Sequence, residues 1–465
     1  MQLIPRAMLR ALPLSAAVLT AVLALVTARP GVPAPAPGAS TAPERIVLGW
    51  AGDAATSRAV TWRTVRPTKA PRAEIGVAAA PGDGTVGPRA TVSAESRLIA
   101  IGGGVSVTHD RADFSGLRPA TTYAYRVGDA SSFSAWHRFT TASTTPDPFR
   151  FIYLGDAQTG LDRKWPSLVR AAFRAVPDAR FVVYAGDLTN RGYDDRQWGA
   201  FFAALGERAA EVPSVPAPGN HDLRRSLLLD LRGRLLAVSA LWNAHFALPD
   251  NGPAELRDLA SQNYFVDYQG TRIVAIDTNA FANRDFDPSQ RERVRDAQLR
   301  WLRQVLDSSA PRWTVVVQHQ PIFSVAKNRD FAEMRLALGA VYDQYHVDLV
   351  LQGHDHVYAR SHKVTGGKAA PAAAPGTVYV VSVSGPKMYR TTGTWKPLMA
   401  VMREGAQLYQ VISVRRDRLS YESRTADGAL VDAFSLVRPS GAISGTATLL
   451  SEDLPAAKSP PAKRE

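Results

Sequence analysis

Hydrophobic and polar positions change rhythm once along this chain. From Ile46 to about Ala142, short strand-like stretches such as Ala59-Val60-Thr61-Trp62 and Tyr123-Ala124-Tyr125-Arg126-Val127 are separated by turns containing Gly and Pro, with no long helical stripe. That texture predicts a β-sandwich. After Pro148, strand-like runs alternate with helical periodicity, the mark of a layered α/β domain. The clearest helix is predicted over 288–308: Asp287 can cap it, Pro288 suits its first turn, and Val294, Ala297, Trp301, Leu302 and Val305 fall on one stripe. Apolar runs at 149–154, 180–185, 313–317 and 347–351 each end in a polar segment. In open α/β sheets ligands gather outside the carboxyl ends of strands, so these segments are expected to converge.

The expected organisation is therefore a sandwich over 44–143 followed by an α/β unit over 149–438. Arg6 and Arg10, the apolar run from Ala11 to Val26 and the small residues Val26-Thr27-Ala28 have the form of a signal peptide over 1–28, with an uncleaved membrane anchor as the alternative. Cleavage would leave no membrane span and an exported protein, periplasmic or extracellular. Residues 29–43 are dominated by Pro, Ala and Gly and read as an extended linker. Residues 439–465, rich in Ser, Ala, Pro and Lys, are expected to be disordered.

Composition removes several classes of chemistry. The 465 residues are 45% hydrophobic, ample for buried cores, and contain no cysteine. Disulfides, thiol catalysis and cysteine-ligated zinc are excluded. The formal net charge is +13, or +11 once Arg6 and Arg10 leave with the leader, which favours anionic ligands. Neither zinc-finger spacing nor a Gly-rich phosphate-cradling loop accompanies that charge, so no nucleic-acid partner is expected.

The candidate chemistry lies in five polar segments: Gly155-Asp156-Ala157-Gln158, Gly186-Asp187, Gly219-Asn220-His221-Asp222, Gln318-His319-Gln320-Pro321 and Gly353-His354-Asp355-His356. Any one alone reads as a turn. Together they collect the carboxylate, amide and imidazole groups that suit two adjacent ions of zinc, manganese or iron, whereas an all-oxygen set would point to calcium or magnesium.

The order, spacing and flanks of these segments resemble the calcineurin-like metallophosphoesterases and, within them, the purple acid phosphatase branch. Supporting stretches are Asn243-Ala244-His245-Phe246-Ala247-Leu248-Pro249 with Asn251-Gly252-Pro253, Gly353 through Arg360, and Leu408 to Leu436. In the leading domain, Gly116-Leu117-Arg118-Pro119-Ala120-Thr121-Thr122-Tyr123 resembles the tyrosine-corner region of a fibronectin type III domain. The resemblance implies that Asp156 and His356 hold a first metal, that Asn220, His319 and His354 hold a second, and that Asp187 bridges them. A hydroxide shared by the two ions is then the expected nucleophile on a phosphate ester, most simply a monoester. His221 would assist the leaving oxygen, and Asp222 would either orient His221 or cap the following segment.

Two positions depart from the purple enzymes. Asn190 stands where that branch has a metal-bound tyrosine, so a purple ferric site is not expected; it reads equally as a metal or phosphate contact and as a turn residue. Gln158 stands where relatives outside the branch carry a ligating His; its carbonyl can ligate the first metal more weakly or yield the place to water. His109, His137, His245, His346 and His362 lie outside the segments and read as packing or surface residues. Lys327 and Arg329, a short loop after the His319 segment, read as solvated loop charges, with contact to a substrate phosphate as the alternative. Two rivals share these residues: a phosphodiesterase or nucleotidase using the same metals, and a binding or adhesion protein that kept the fold without turnover.

Overall fold

The computed structural model describes residues 41–79, 87–224, 236–283, 286–308, 311–439 and 446–451. The expected leader over 1–28, most of the linker and the last fourteen residues of the expected tail lie outside the described residues.

The leading domain is a sandwich of two four-stranded antiparallel sheets. One has the order Glu44–Gly49, Arg58–Thr64, Val105–Phe114, Glu95–Gly102; the other has Ala90–Ser93, Arg72–Val77, Thr122–Gly128, His137–Thr140. Alternate inward residues, among them Val60, Trp62, Ile75, Tyr125 and Phe139, close a core of their own. The tyrosine corner is present: the Arg118 amide donates to the Tyr123 hydroxyl at 2.8 Å.

Two larger sheets build the α/β unit. The first runs Ser214–Ala217, Val182–Ala185, Phe149–Leu154, Leu408–Val414, Arg418–Thr425, Leu430–Val437, Thr448–Ser451; its first three strands are parallel and the rest antiparallel. In the second, Thr271–Ala275, Trp313–Val317, Leu349–Gln352 and Thr377–Val381 are parallel neighbours. Period-two alternation decides what each face covers. Val315, Val317, Leu349 and Leu351 join the core shared with Ile152, Val183 and Val215 of the first sheet. Val316 and Val350 point the other way, onto Trp301, Leu302 and Val305 of the helix Pro288–Asp307. That helix buries the predicted stripe and adds Gln298, and its Asp287 cap accepts from the Gln290 amide.

The expectation of disorder from 439 onward is corrected at Thr448–Ser451, which pairs antiparallel with Leu430–Val437. The open edge of that strand supplies backbone partners, and Leu449 enters the core while Leu450 faces out. Among the described residues no helix is long and apolar enough to cross a membrane.

The two domains are joined by buried polar contacts. Arg45 grips Asp195 with two hydrogen bonds of 2.6 and 3.1 Å, Trp50 Nε1 donates to Ser214 O at 2.8 Å, and Thr61 Oγ1 donates to His245 O. His109 and His245 stack edge to face at 4.7 Å in this interface. Burial, reinforced by Arg63 and Arg45, lowers His109 to about 3; burial, His109 and the same arginines hold His245 far down. Both rings are neutral when folded but take a proton near pH 6.5 when unfolded. Their contribution is therefore complete above about pH 6.5 and is lost as pH falls toward 3, at about 1.4 kcal/mol per unit for each ring. Melting curves at pH 7.5, 5.5 and 4.5 are expected to fall more steeply for the parent than for His109→Phe; parallel slopes would contradict this.

Candidate metal centre

Five strand ends deliver the candidate ligands. Phe149–Leu154 runs into Asp156, Val182–Ala185 into Asp187, Ser214–Ala217 into Asn220 and His221, Trp313–Val317 into His319, and Leu349–Gln352 into His354 and His356. The first three belong to one sheet and the last two to the other, so the centre draws on both. Asp156, Asp187, His354 and His356 have φ of 49°, 52°, 71° and 51°, a left-handed backbone uncommon outside Gly but reached more often by Asn, Asp and His. Four such turns in one site are held by the surrounding structure, and Asp and His are among the residues that accept this backbone most readily. Two glycines clear the space: a Cβ on Gly219 would meet Asp187 Oδ1 at 2.2 Å, and one on Gly353 would meet Asp156 Oδ2 at 2.5 Å.

His319 Nε2 is the hub. It lies 3.3 Å from Asp187 Oδ2, 3.2 Å from Asn220 Oδ1 and 3.1 Å from His354 Nδ1. Donors bound at about 2.1 Å to one ion sit roughly 3.0–3.4 Å from one another, so these separations match a shared ion. Asp187, His319 and His354 each bring a ligand atom within 4.8 Å of the others. The His319 ring is fixed by its Nδ1 donating to Ala185 O at 2.8 Å, a backbone orientation common behind ligating imidazoles. Burial opposes charge on both Asp187 and His319, yet their attraction outweighs it. Asp187 is held well below the usual carboxylate range and His319 is lifted to about 9. An ion entering here takes the place of that proton.

A second cluster adjoins the first. Asp156 Oδ1 lies 3.5 Å from His356 Nε2, and His356 Nδ1 is 2.9 Å from Lys387 O. Asp156 Oδ2 accepts from the His354 amide at 2.7 Å, whereas Oδ1 is buried and has no hydrogen-bond partner among the described residues. Burial pushes this carboxyl up to about 8 against the pull of His319. A buried carboxyl with one oxygen free of hydrogen bonds, beside an inward imidazole nitrogen, is a donor set that suits a cation. Both positions fit a metal ion; Asp187 contacts the first cluster through His319, and its charge acts on Asp156 and His356 of the second.

Three candidates have other contacts than expected. Asp222 does not reach the His221 ring; its carboxylate accepts from the amides of Asp187 at 2.8 Å, Leu188 at 3.2 Å and Gly219 at 2.9 Å. It ties two ligand turns together, because backbone amides left open by those turns need a buried acceptor. The His221 ring is oriented by Asn190, whose backbone carbonyl lies 2.8 Å from Nδ1. Its Nε2 then faces Asp187 Oδ2 at 4.0 Å, and 31% of the His221 side chain is exposed against 2% of Asp187, so the approach from solvent lies on this side. Gln158 presents an amide N–H to Asp187 Oδ2 at 2.6 Å, not a carbonyl to the metal position.

Other contributors were not legible beforehand. Arg329 is not simply solvated: it donates to His354 O and lies 3.5 Å from Asp355. Asn279 reaches Gly219 O at 3.4 Å and accepts from Gln320 at 3.0 Å, linking the turns of Asn220 and His319. Lys387 and Tyr389 follow the strand Thr377–Val381, an apolar run ending in Ser382-Val383-Ser384-Gly385-Pro386-Lys387. That is the same signal as at the other strand ends.

Comparison with known proteins agrees with this geometry. The sequence profile of the calcineurin-like phosphoesterases matches residues 149–358, and that of the purple acid phosphatase N-terminal domain matches residues 43–141. An uncharacterized protein of Mycobacterium tuberculosis is 28% identical over 400 residues, covering 76% of this chain and 70% of that protein. Purple acid phosphatase 15 of Arabidopsis thaliana is 26% identical over 303 residues, covering 57% of this chain and 51% of the relative. A purple acid phosphatase structure from yellow lupin (Lupinus luteus) seeds shares the fold, with a TM-score of 0.69 at 18% identity over 87% of this chain and 76% of the lupin chain.

Proposed function

We propose, since this chain belongs to the calcineurin-like phosphoesterases and carries the purple acid phosphatase N-terminal domain ahead of its catalytic unit, that it hydrolyses phosphate monoesters with two metal ions. The observation that carries the reading is the pair of adjoining donor clusters, His319 Nε2 among Asp187, Asn220 and His354, and Asp156 Oδ1 beside His356 Nε2. Iron, zinc and manganese all suit this nitrogen and oxygen set. The ions, when bound, would supply Lewis acidity that makes water a nucleophile near neutral pH and offsets phosphoryl charge.

The protein's own groups have distinct tasks in this reading. Asp187, anchored through Oδ1 by the His221 amide at 2.8 Å, would bridge the two ions and fix their relation. His221, its Nδ1 turned to Asn190 O, would present Nε2–H of its protonated form to the leaving oxygen. Asp222 and Asn279 would hold the turns. Export is part of the proposal and rests on Arg6, Arg10 and the apolar run from Ala11 to Val26.

The test is to strip the protein, reload it separately with iron, zinc or manganese, and assay monoesters and diesters side by side. Monoester hydrolysis that disappears on stripping and returns on loading is expected. Faster diester turnover would favour the phosphodiesterase reading, and full loading without hydrolysis of any ester would favour a binding protein.

A further inference from the structure

We infer that Lys387 makes the two metal positions unequal: it holds Gln158 in the place of a ligand and so leaves the Asp156–His356 position the weaker of the two. The inference rests on the two-metal reading and goes beyond it. Gln158 Oε1 accepts from Lys387 Nζ at 3.2 Å while its Nε2 donates to Asp187 Oδ2 at 2.6 Å. An ammonium only donates and a carboxylate only accepts, so both ends of the amide are fixed; a flipped amide would face Lys387 with N–H and Asp187 with oxygen. The carbonyl that would otherwise complete the first position is therefore engaged.

The donor sets differ accordingly. Asn220, His319 and His354 join Asp187 at one position, giving four protein donors. Asp156 and His356 join the shared Asp187 at the other, giving three, with an ammonium one side-chain amide away from the bridging carboxylate. Two imidazoles against one favour the fuller set for borderline ions, and a nearby fixed cation opposes a second cation. Lys387 is itself locked in place. Its carbonyl pairs with His356 Nδ1 at 2.9 Å, and its ammonium lies 5.4 Å from the centroid of Tyr389. The Tyr389 amide in turn donates to His356 O at 3.1 Å, and its ring packs 4.8 Å from the His356 imidazole. Lys387 is thus a positioning residue, acting on the metal through Gln158.

The test is calorimetric titration of the stripped full chain with manganese(II), read as two dissociation constants. The parent is expected to bind one equivalent about 100-fold more tightly than the second, the upper end of what groups supporting metal ligands contribute to affinity. Lys387→Met should narrow that ratio by roughly tenfold or more, a size in keeping with residues that support metal ligands. Lys387→Arg should keep the parent ratio, and Gln158→His, which adds an imidazole donor, should narrow it whether or not Lys387→Met folds. Two equivalents of equal affinity in the parent, or a ratio unmoved by a folded Lys387→Met protein or by Gln158→His, would overturn the inference while leaving the two-metal reading intact. Failure to bind manganese, zinc or iron would instead remove that reading.

Discussion

Asp187→Asn is expected to lower turnover at least about 10³-fold and to release both ions, because the proposed centre relies on this one carboxylate at both metal positions. Its Oδ2 lies 3.3 Å from His319 Nε2, and its Oδ1 takes the His221 amide. Residues that merely support ligands change metal affinity or activity 10–100-fold, so loss of a shared ligand should exceed that range. Asparagine keeps the size and one oxygen, and the Asp222 contacts to the backbone amides of residues 187 and 188 do not involve the lost group. The fold should persist. Metal content measured beside turnover checks this: a folded Asp187→Asn protein that still holds two ions and works at parental rate would remove the shared ligand from the mechanism.

His221→Ala is expected to have the second largest effect and the opposite signature. The imidazole is oriented by Asn190 O and its Nε2 stands 4.0 Å from Asp187, near the centre without belonging to either donor cluster. Its loss should reduce kcat by about 10²–10⁴, the usual contribution of a positioned acid or base, with metal content unchanged. Esters with good leaving groups, which need little help from an acid, should lose least. Comparable rates for variant and parent across all leaving groups would take His221 out of the reaction.

The parts legible in the sequence were those set by local pattern. Apolar runs before Asp156, Asp187, His319 and His354 are strands in the structure, and the stripe from Val294 to Val305 is the buried face of a helix. One ligand strand, Ser214–Ala217, was harder to read because Pro213, Pro216 and Pro218 interrupt it; it lies at a sheet edge, where proline is tolerated.

What stayed hidden were side-chain directions set by distant partners. Gln158 and Lys387 are 229 residues apart, and nothing near Gln158 in the chain shows that its carbonyl is engaged. Asp222 follows His221 directly, which made it the natural orienting group, yet its carboxylate turns to amides 34 and 35 residues away. The edge strand Thr448–Ser451 depends likewise on an open partner edge and not on its own composition.

The most direct measurement is anomalous X-ray scattering from crystals soaked in excess manganese(II). Two peaks about 3.5–4 Å apart are expected, both touching Asp187, one beside His319 and His354 and the other beside Asp156 and His356. A single peak under saturating metal, or peaks remote from Asp187, would contradict a centre built on a pair of ions.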